Sequence, residues 1–473
     1  MKKTLCLIIA SIFLFTGCTS IVKENTRKTE YEKDLASNYQ TVDLTPNIEK
    51  TPALYYLNSE GTTLVAETRS VSIEQNTRPE MKVIEELLKG PTDKSLRRVG
   101  DGFELQSIET MYNVANVSLT ADAVKTDDQI FSISLAVANT LSEFLDVNYV
   151  NVYVNGRALG YSGKPAGALT KNQGILGDEK AKQSQRASLV SAEIPTVLYF
   201  LDNSEKYLVP EVRTIAYTGD NYVSRMIEEL AKGPEEMYYY RQSMDTSIRI
   251  AGVPVVETDA TGQNILVVDL NKSPVVFTQG FEDGETLATA SIVYTLLGFY
   301  PGVDKIRFTV NGVSINSNVY SKSDFKGYIG ASVRLYFPNA DSTKLMGVDR
   351  TMSQDIASFP STIVSELIKG PAESDSSDMW PAFPAGVDDT DVKEVFVSDD
   401  TVVVDFNSSI LAKLKDMTPD DEMLMVYSII NSLTYLKDIR LVQFLVDGQR
   451  TQYLSNSIDI RDPMMKNPGI IKY

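Results

Sequence analysis

Ile265-Leu266-Val267-Val268-Asp269-Leu270, Ala288-Thr289-Ala290-Ser291-Ile292-Val293-Tyr294-Thr295-Leu296 and Pro301-Gly302-Val303-Asp304-Lys305-Ile306-Arg307-Phe308-Thr309-Val310-Asn311-Gly312 follow one another in the middle of the chain. The first stretch is an apolar run of strand length. The second carries Val293, with Leu297 four residues on, the spacing that lines up apolar side chains on one helical face. The third alternates at Ile306, Phe308 and Val310, as a strand with one buried face does, and closes on Asn-Gly, a tight turn that needs positive backbone angles. The reading is strand, helix, strand, turn.

Working outward, the same series recurs on both sides. Val150, Val152 and Val154 precede Asn155-Gly156, and Val442, Phe444 and Val446 precede Asp447-Gly448. The helices ahead of them carry Val137 with Leu141 and Ile429 with Leu433, and the buried strand recurs at 402–406 and, more weakly, at 114–119. Upstream, Leu54-Tyr55-Tyr56-Leu57, Leu198-Tyr199-Phe200-Leu201 and Leu335-Tyr336-Phe337 open three units with a period of about 140 residues. That period is too long for a solenoid repeat, so each unit is expected to have its own core.

Lys89-Gly90-Pro91, Lys232-Gly233-Pro234 and Lys369-Gly370-Pro371 end a helix in each unit. Its apolar face is Val83, Ile84 and Leu87, then Met226, Ile227 and Leu230, then Ile363, Val364 and Leu367. Lys in the last turn, Gly in a left-handed cap and Pro beyond form a helix stop, not a phosphate loop. Glu85 to Lys89 and Glu228 to Lys232 are predicted four-residue ion pairs, with Ser365 at that place in the third unit. Each unit then reads strand, strand, helix, strand, strand, helix, strand. The expected class is α+β, in tandem two-layer sandwiches, each a mostly antiparallel sheet with two helices on one face.

Composition narrows the chemistry. The 473 residues are 43% hydrophobic and 23% charged, as in packed domains. Forty-five basic against sixty-three acidic residues give a net charge of -18, which argues against nucleic acid as a partner. There is no histidine, so Ser-His-Asp and Cys-His centres are impossible, and two cysteines cannot build a four-thiolate zinc site. No catalytic, cofactor-binding or metal-binding residue is expected.

Lys2 and Lys3 precede an apolar run from Leu5 to Phe15, the charged start and short core of a secretory signal. Phe15-Thr16-Gly17-Cys18 resembles a bacterial lipobox, which makes Cys18 the expected lipidation site and places the protein on the outer face of the cytoplasmic membrane. Cys6 would leave with the signal, so the mature chain would have no disulfide. The expected organisation is a signal peptide at 1–17, a lipidated N-terminus and flexible tether at 18–50, units at 51–178, 196–331 and 332–473, and a linker at 179–195. The polar linker suggests that units two and three form a rigid pair while unit one moves on tethers, and that proteolysis begins near 179–190.

Several residues carry two readings. Asp269 and Asp405 stand at strand ends, where carboxylates build catalytic or metal sites, but bonding of local amides at a turn is the favoured reading. The Asp388-Asp389-Thr390-Asp391 run and the stretch from Asp416 to Glu422 lack EF-hand spacing and read as solvated acidic loops. Tyr238-Tyr239-Tyr240 reads as a patch for sugar or partner contact or, in preference, as a turn packed on its own domain.

Together these stretches resemble the GerM domain of the sporulation and spore germination family, in three copies covering most of 52–473. The third copy keeps Phe383-Pro384-Ala385-Gly386-Val387 like the family's turn after the first helix, which the second copy lacks between Arg241 and Ile250. The first copy has Ser118 where the others have Asp269 and Asp405. The resemblance implies a non-enzymatic extracytoplasmic lipoprotein that scaffolds or stabilises an envelope complex between mother cell and forespore. Its implied partners are envelope proteins of that complex and the membrane, through the N-terminal lipid. The fold's similarity to ring-building modules implies an oligomer or ring as one form of assembly. Similar domains in lipoproteins that modulate a membrane sensor kinase imply the alternative function. Family members in this role usually resemble two copies, and three is a departure.

Overall fold

The computed structural model describes residues 48–73, 78–145, 147–161, 163–171, 193–277, 284–315, 318–354, 356–357, 359–436, 439–455 and 457–472. The signal stretch, Cys18, the tether up to residue 47 and 179–192 of the expected linker lie outside them.

Each unit opens with an antiparallel hairpin: Ala53–Leu57 with Leu64–Thr68, Glu193–Asp202 with Leu208–Ala216, and Gly330–Pro338 with Leu345–Ser353. The first of these strands in unit two begins inside the expected 179–195 linker, and that of unit three crosses the expected boundary at 331/332. The first helix follows at Pro79–Lys89, Tyr222–Lys232 and Pro360–Lys369. Two more antiparallel strands come next, then a second helix at Asp127–Phe144, Gly284–Phe299 and Pro419–Leu433. The last main strand returns parallel to its partner: Tyr149–Val154 beside Val114–Ala121, Lys305–Val310 beside Asn264–Leu270, and Leu441–Val446 beside Thr401–Phe406. Only a crossover connection can join parallel neighbours, which fixes the second helix over the sheet. The result is α+β, with one parallel pair inside each otherwise antiparallel four-stranded sheet and the hairpin as a separate sheet; in unit three Ile471–Lys472 also runs parallel beside Leu345–Ser353.

Two local rules produce the helices. At the ends of the first helices Gly90, Gly233 and Gly370 have φ of 96°, 88° and 83° with ψ near 180°, and each donates its N–H to a leucine carbonyl three residues back. This is not the left-handed cap expected from sequence but a region that is essentially glycine-only. The second helix of unit two is buried on all sides: fourteen of its sixteen residues are inside. An apolar stripe alone does not describe it, because it is covered by the sheet, the first helix and the hairpin at once.

The hairpin is held to that helix by hydroxyls. Tyr199 N donates to Thr295 Oγ1 (3.2 Å), and Ser291 Oγ donates to the Tyr199 carbonyl (2.7 Å). In unit three Tyr336 N donates to Ser432 Oγ (3.0 Å), and Ser428 Oγ to the Tyr336 carbonyl (2.5 Å). In unit one Tyr55 N donates to Thr140 Oγ1 (3.3 Å), while Ala136 stands where the second hydroxyl would be. Strand-edge groups that a neighbouring strand would satisfy are thus met by a helix.

Unit one is packed on unit two, contrary to the expectation that it moves freely. Met111, Val114 and Ala168 join the core of unit two, Arg157 pairs with Asp304 (2.9 Å), and Ala168 N donates to the Pro195 carbonyl (2.8 Å). Unit three touches both others: its first strand lies against Leu208–Ala216 of unit two and Phe103–Met111 of unit one, Gln354 N donates to the Ile329 carbonyl (2.7 Å), and the Gln354 side chain bonds Glu109 of unit one.

Candidate interaction surface

The polar group that recurs in all three units is an arginine that sequence reading missed. Arg69 donates to the Gly90 carbonyl (2.8 Å) and pairs with Glu67 (2.6 Å) and Glu86 (3.7 Å). Arg213 donates to the Gly233 carbonyl and pairs with Glu211 (2.6 Å) and Glu229 (3.3 Å). Arg350 donates to the Gly370 carbonyl (3.3 Å) and pairs with Glu366 (2.8 Å) and Asp375 (2.7 Å). Arg213 and Arg350 lie over Phe200 and Phe337, and in unit one the hydroxyl of Tyr56 reaches the Gly90 carbonyl (3.1 Å). The signal was a constant spacing: each arginine stands 20 or 21 residues before its glycine.

The lysines of the helix ends join the same networks. Lys89 pairs with Glu86, Lys232 with Glu229 and Lys369 with Glu366, at 2.5, 2.6 and 2.7 Å. These three-residue spacings replace the predicted pairs to Glu85 and Glu228, and they give the third unit a pair as well. Burial pushes Glu229 and Glu366 up, but hydrogen bonds from lysine and arginine outweigh it, and both stay below the ordinary carboxylate range. An arginine occupied by acids and a helix-end carbonyl clamps the hairpin to the first helix. It is neither a proton carrier nor an open anion site.

Asp269 and Asp405 are turn residues. Asp269 accepts from Gly312 N (2.8 Å) and Thr309 Oγ1 (2.7 Å), and Asp405 accepts from Gly448 N (2.9 Å). They fasten the turns in which Asn311 and Asp447 have φ of 49° and 50°. In unit one, Asn155 accepts from Ala121 N instead (3.0 Å). The acidic runs are not the solvated loops expected from sequence: Asp388 accepts from Thr390 N (2.9 Å), Asp391 is buried and pairs with Lys413 (2.6 Å), and Glu422, in the first turn of the helix Pro419–Leu433, is buried and accepts from Ser455 N and Ser457 N. Among the described residues no three acidic or thiol groups gather to hold a metal, and no helix is long and apolar enough to cross a membrane.

Aromatic residues mark where units meet. Lys322, from the connection between units two and three, places its ammonium 3.5 Å from the ring centre of Tyr153 of unit one and 5.9 Å from that of Tyr294 of unit two. Asn151 donates to the Tyr153 hydroxyl (2.6 Å). Burial lowers the Lys322 ammonium to about 7, against the pull of Glu109, and burial also pushes Glu109 up. The Tyr238–Tyr240 run divides. Tyr240 is buried and its hydroxyl donates to the Pro210 carbonyl (3.0 Å), whereas Tyr238 and Tyr239 face solvent beside Tyr112 of unit one. The run therefore spans the seam of two units and is not confined to its own.

Three α+β units whose recurring polar groups hold turns and helix ends, and whose faces pack on each other, define a tandem-domain protein. The chain belongs to the Germane family, described as sporulation and spore germination, whose model matches residues 53–160, 197–316 and 334–452. Among solved structures it is similar to the tandem GerMN domains of the sporulation protein GerM from Bacillus subtilis, at 19% identity over 59% of this chain and all of that one, with a TM-score of 0.25. The first GerMN domain of the same protein matches at 19% identity over 28% of this chain and 97% of that one, with a TM-score of 0.23. A candidate lipoprotein from Clostridium perfringens matches at 21% identity over 30% of this chain and 93% of that one, with a TM-score of 0.21. No curated protein matches the chain.

Proposed function

We propose that this family member is a non-enzymatic lipoprotein, anchored through Cys18 on the outer face of the cytoplasmic membrane, that scaffolds an envelope complex between mother cell and forespore. The observation that carries the reading is the commitment of every recurring polar group to the fold. The arginine clamps, the strand-end aspartates and the helix hydroxyls all have internal partners, which leaves the unit surfaces as what the three copies offer. Docking of unit one on unit two presents those surfaces at fixed spacing, as a scaffold requires.

The test is crosslinking in living cells through sporulation, with photoreactive residues at exposed positions of all three units. The reading requires crosslinks to envelope proteins that appear with engulfment and vanish when Cys18→Ala releases the chain from the membrane fraction. Crosslinks confined to a membrane sensor kinase, unchanged by the onset of sporulation, would count for the regulatory alternative.

A further inference from the structure

We propose that the tyrosine patch on the seam of units one and two is a docking surface for a lysine- and arginine-rich segment of a partner protein, and that it exists only while unit one is docked. Four large side chains from two units meet in solvent there. Tyr238, Met237, Tyr239 and Tyr112 are 78%, 61%, 48% and 45% exposed. Ring centres lie 4.8 Å apart between Tyr238 and Tyr239 and 6.1 Å apart between Tyr239 and Tyr112. Folded proteins leave contiguous apolar surface of this kind mainly where something binds.

The patch is held in shape. Asn203 Nδ2 donates to the Tyr238 carbonyl (2.9 Å), and Arg241 donates to the carbonyls of Met237 (2.7 Å) and Tyr240 (2.9 Å). Tyr112 has φ of 52°, a left-handed conformation that a bulky residue seldom adopts, and in it the ring reaches both Tyr239 and Tyr240. Strain of this sort persists where the surroundings impose it, and it concentrates at sites of function.

Charge selects the partner. Glu235 and Glu236 precede Met237 and are exposed, Glu235 lying 3.6 Å from the buried Arg213 while three-quarters of its side chain stays in solvent. Burial, and after it the Asp202 carboxylate, pushes the Tyr112 hydroxyl up, so negative charge of unit two reaches the ring that unit one contributes. Arg241, the cation beside the patch, spends its guanidinium on backbone carbonyls. Open tyrosine faces beside carboxylates attract lysine and arginine side chains. A sugar would want a flat platform, and the Tyr238 and Tyr239 rings stand 87° apart.

The surface is composite: Tyr112 comes from unit one and Tyr238 and Tyr239 from unit two. Docking is fastened outside the patch as well, where Lys322 meets Tyr153 and Arg157 pairs with Asp304. The inference rests on the scaffolding reading only in assigning the bound segment to a protein. Loss of peptide binding would leave the sporulation role standing, and normal sporulation without the chain would leave the surface standing.

The experiment uses the full lipidated chain, purified in detergent, with a fluorescent eight-residue peptide of alternating lysine and arginine read by anisotropy, and a chito-oligosaccharide as the sugar probe. Tyr238→Ala with Tyr239→Ala is expected to weaken peptide binding about tenfold, and Glu235→Gln with Glu236→Gln several-fold. Lys322→Met, outside the patch, is expected to weaken it as the tyrosine pair does. The control pair Glu104→Gln with Glu394→Gln, exposed acids elsewhere, is expected to change it less than twofold. Equal weakening by control and patch acids, with the tyrosine pair inert, would show binding to net charge alone and overturn the proposal. So would binding of the oligosaccharide in place of the peptide. Unchanged binding in a Lys322→Met chain whose spin-label distances show unit one released from unit two would overturn the dependence on docking.

Discussion

Arg213 holds more of its unit together than its place in the sequence suggests. It is buried against Phe200, with Glu211 and Glu229 on either side and the Gly233 carbonyl at its tip. Arg213→Met would leave Glu211 without its cation and Glu229 with Lys232 and Arg225 alone, and removal of one partner from a buried ion network costs roughly 3–5 kcal/mol. Thermal unfolding should show a large drop for Arg213→Met and a smaller one for Arg69→Met, whose site is more exposed. Equal and small drops would mean that the clamp is ornamental. Gly233→Ala should cost about 1–3 kcal/mol, because φ of 88° with extended ψ suits glycine and a Cβ would lie 2.1 Å from Gln242 Oε1. The same clamps set an acid limit. Glu229 and Glu366 have folded values below 4.5, so the stability they add is present above that value and is lost as pH falls through the folded values. Chemical denaturation from pH 6 to pH 3 should therefore show stability falling below about 4.5, less steeply in Arg213→Met.

At the scale of elements, the second helix does what its sequence half announced. Val293 and Leu297 give it away as apolar, and both are buried, but Ser291 and Thr295 in the same stretch carry the information that was not used. A hydroxyl four residues from another in a buried helix has to bond something, and here the partner is a strand edge about 90 residues away in sequence. Thr295→Val keeps the shape and strands the Tyr199 amide, a loss of about 1–3 kcal/mol. Amide exchange at Tyr199 should quicken in that variant, whereas unchanged protection would mean that the helix does not satisfy the edge. Element order was legible because it rests on local rules: apolar period at Ile306 and Phe308, glycine at helix ends, Asn-Gly at turns. The arginine clamp was not, because Arg69, Arg213 and Arg350 look like ordinary strand polar residues until the hairpin folds over the first helix. The correct lysine partners, Glu86, Glu229 and Glu366, were hidden for the same reason, since the arginine draws them to one side of the helix.

Across the whole molecule, the linker's polarity misdirected the sequence reading about unit one. Nothing local in the sequence says that Tyr153 meets Lys322 or that Arg157 meets Asp304, because these contacts join unit one to unit two and the connection that follows it. Lys322→Met removes the charge while keeping the aliphatic stem, and it should increase the spread of distances between spin labels on units one and two. An unchanged, narrow distribution would show that apolar contacts around Met111 and Val114 suffice for docking. The family places the molecule in sporulation and spore germination, and the account proposed for it there is that of a membrane-anchored scaffold. The most direct test of that account is the yield of heat-resistant, germinating spores from a deletion strain of the spore-forming host, complemented in turn by the intact chain and by Cys18→Ala. The account predicts a reduced yield on deletion, recovery with the intact chain and little recovery with Cys18→Ala. A deletion strain that engulfs, sporulates and germinates like its parent would contradict it.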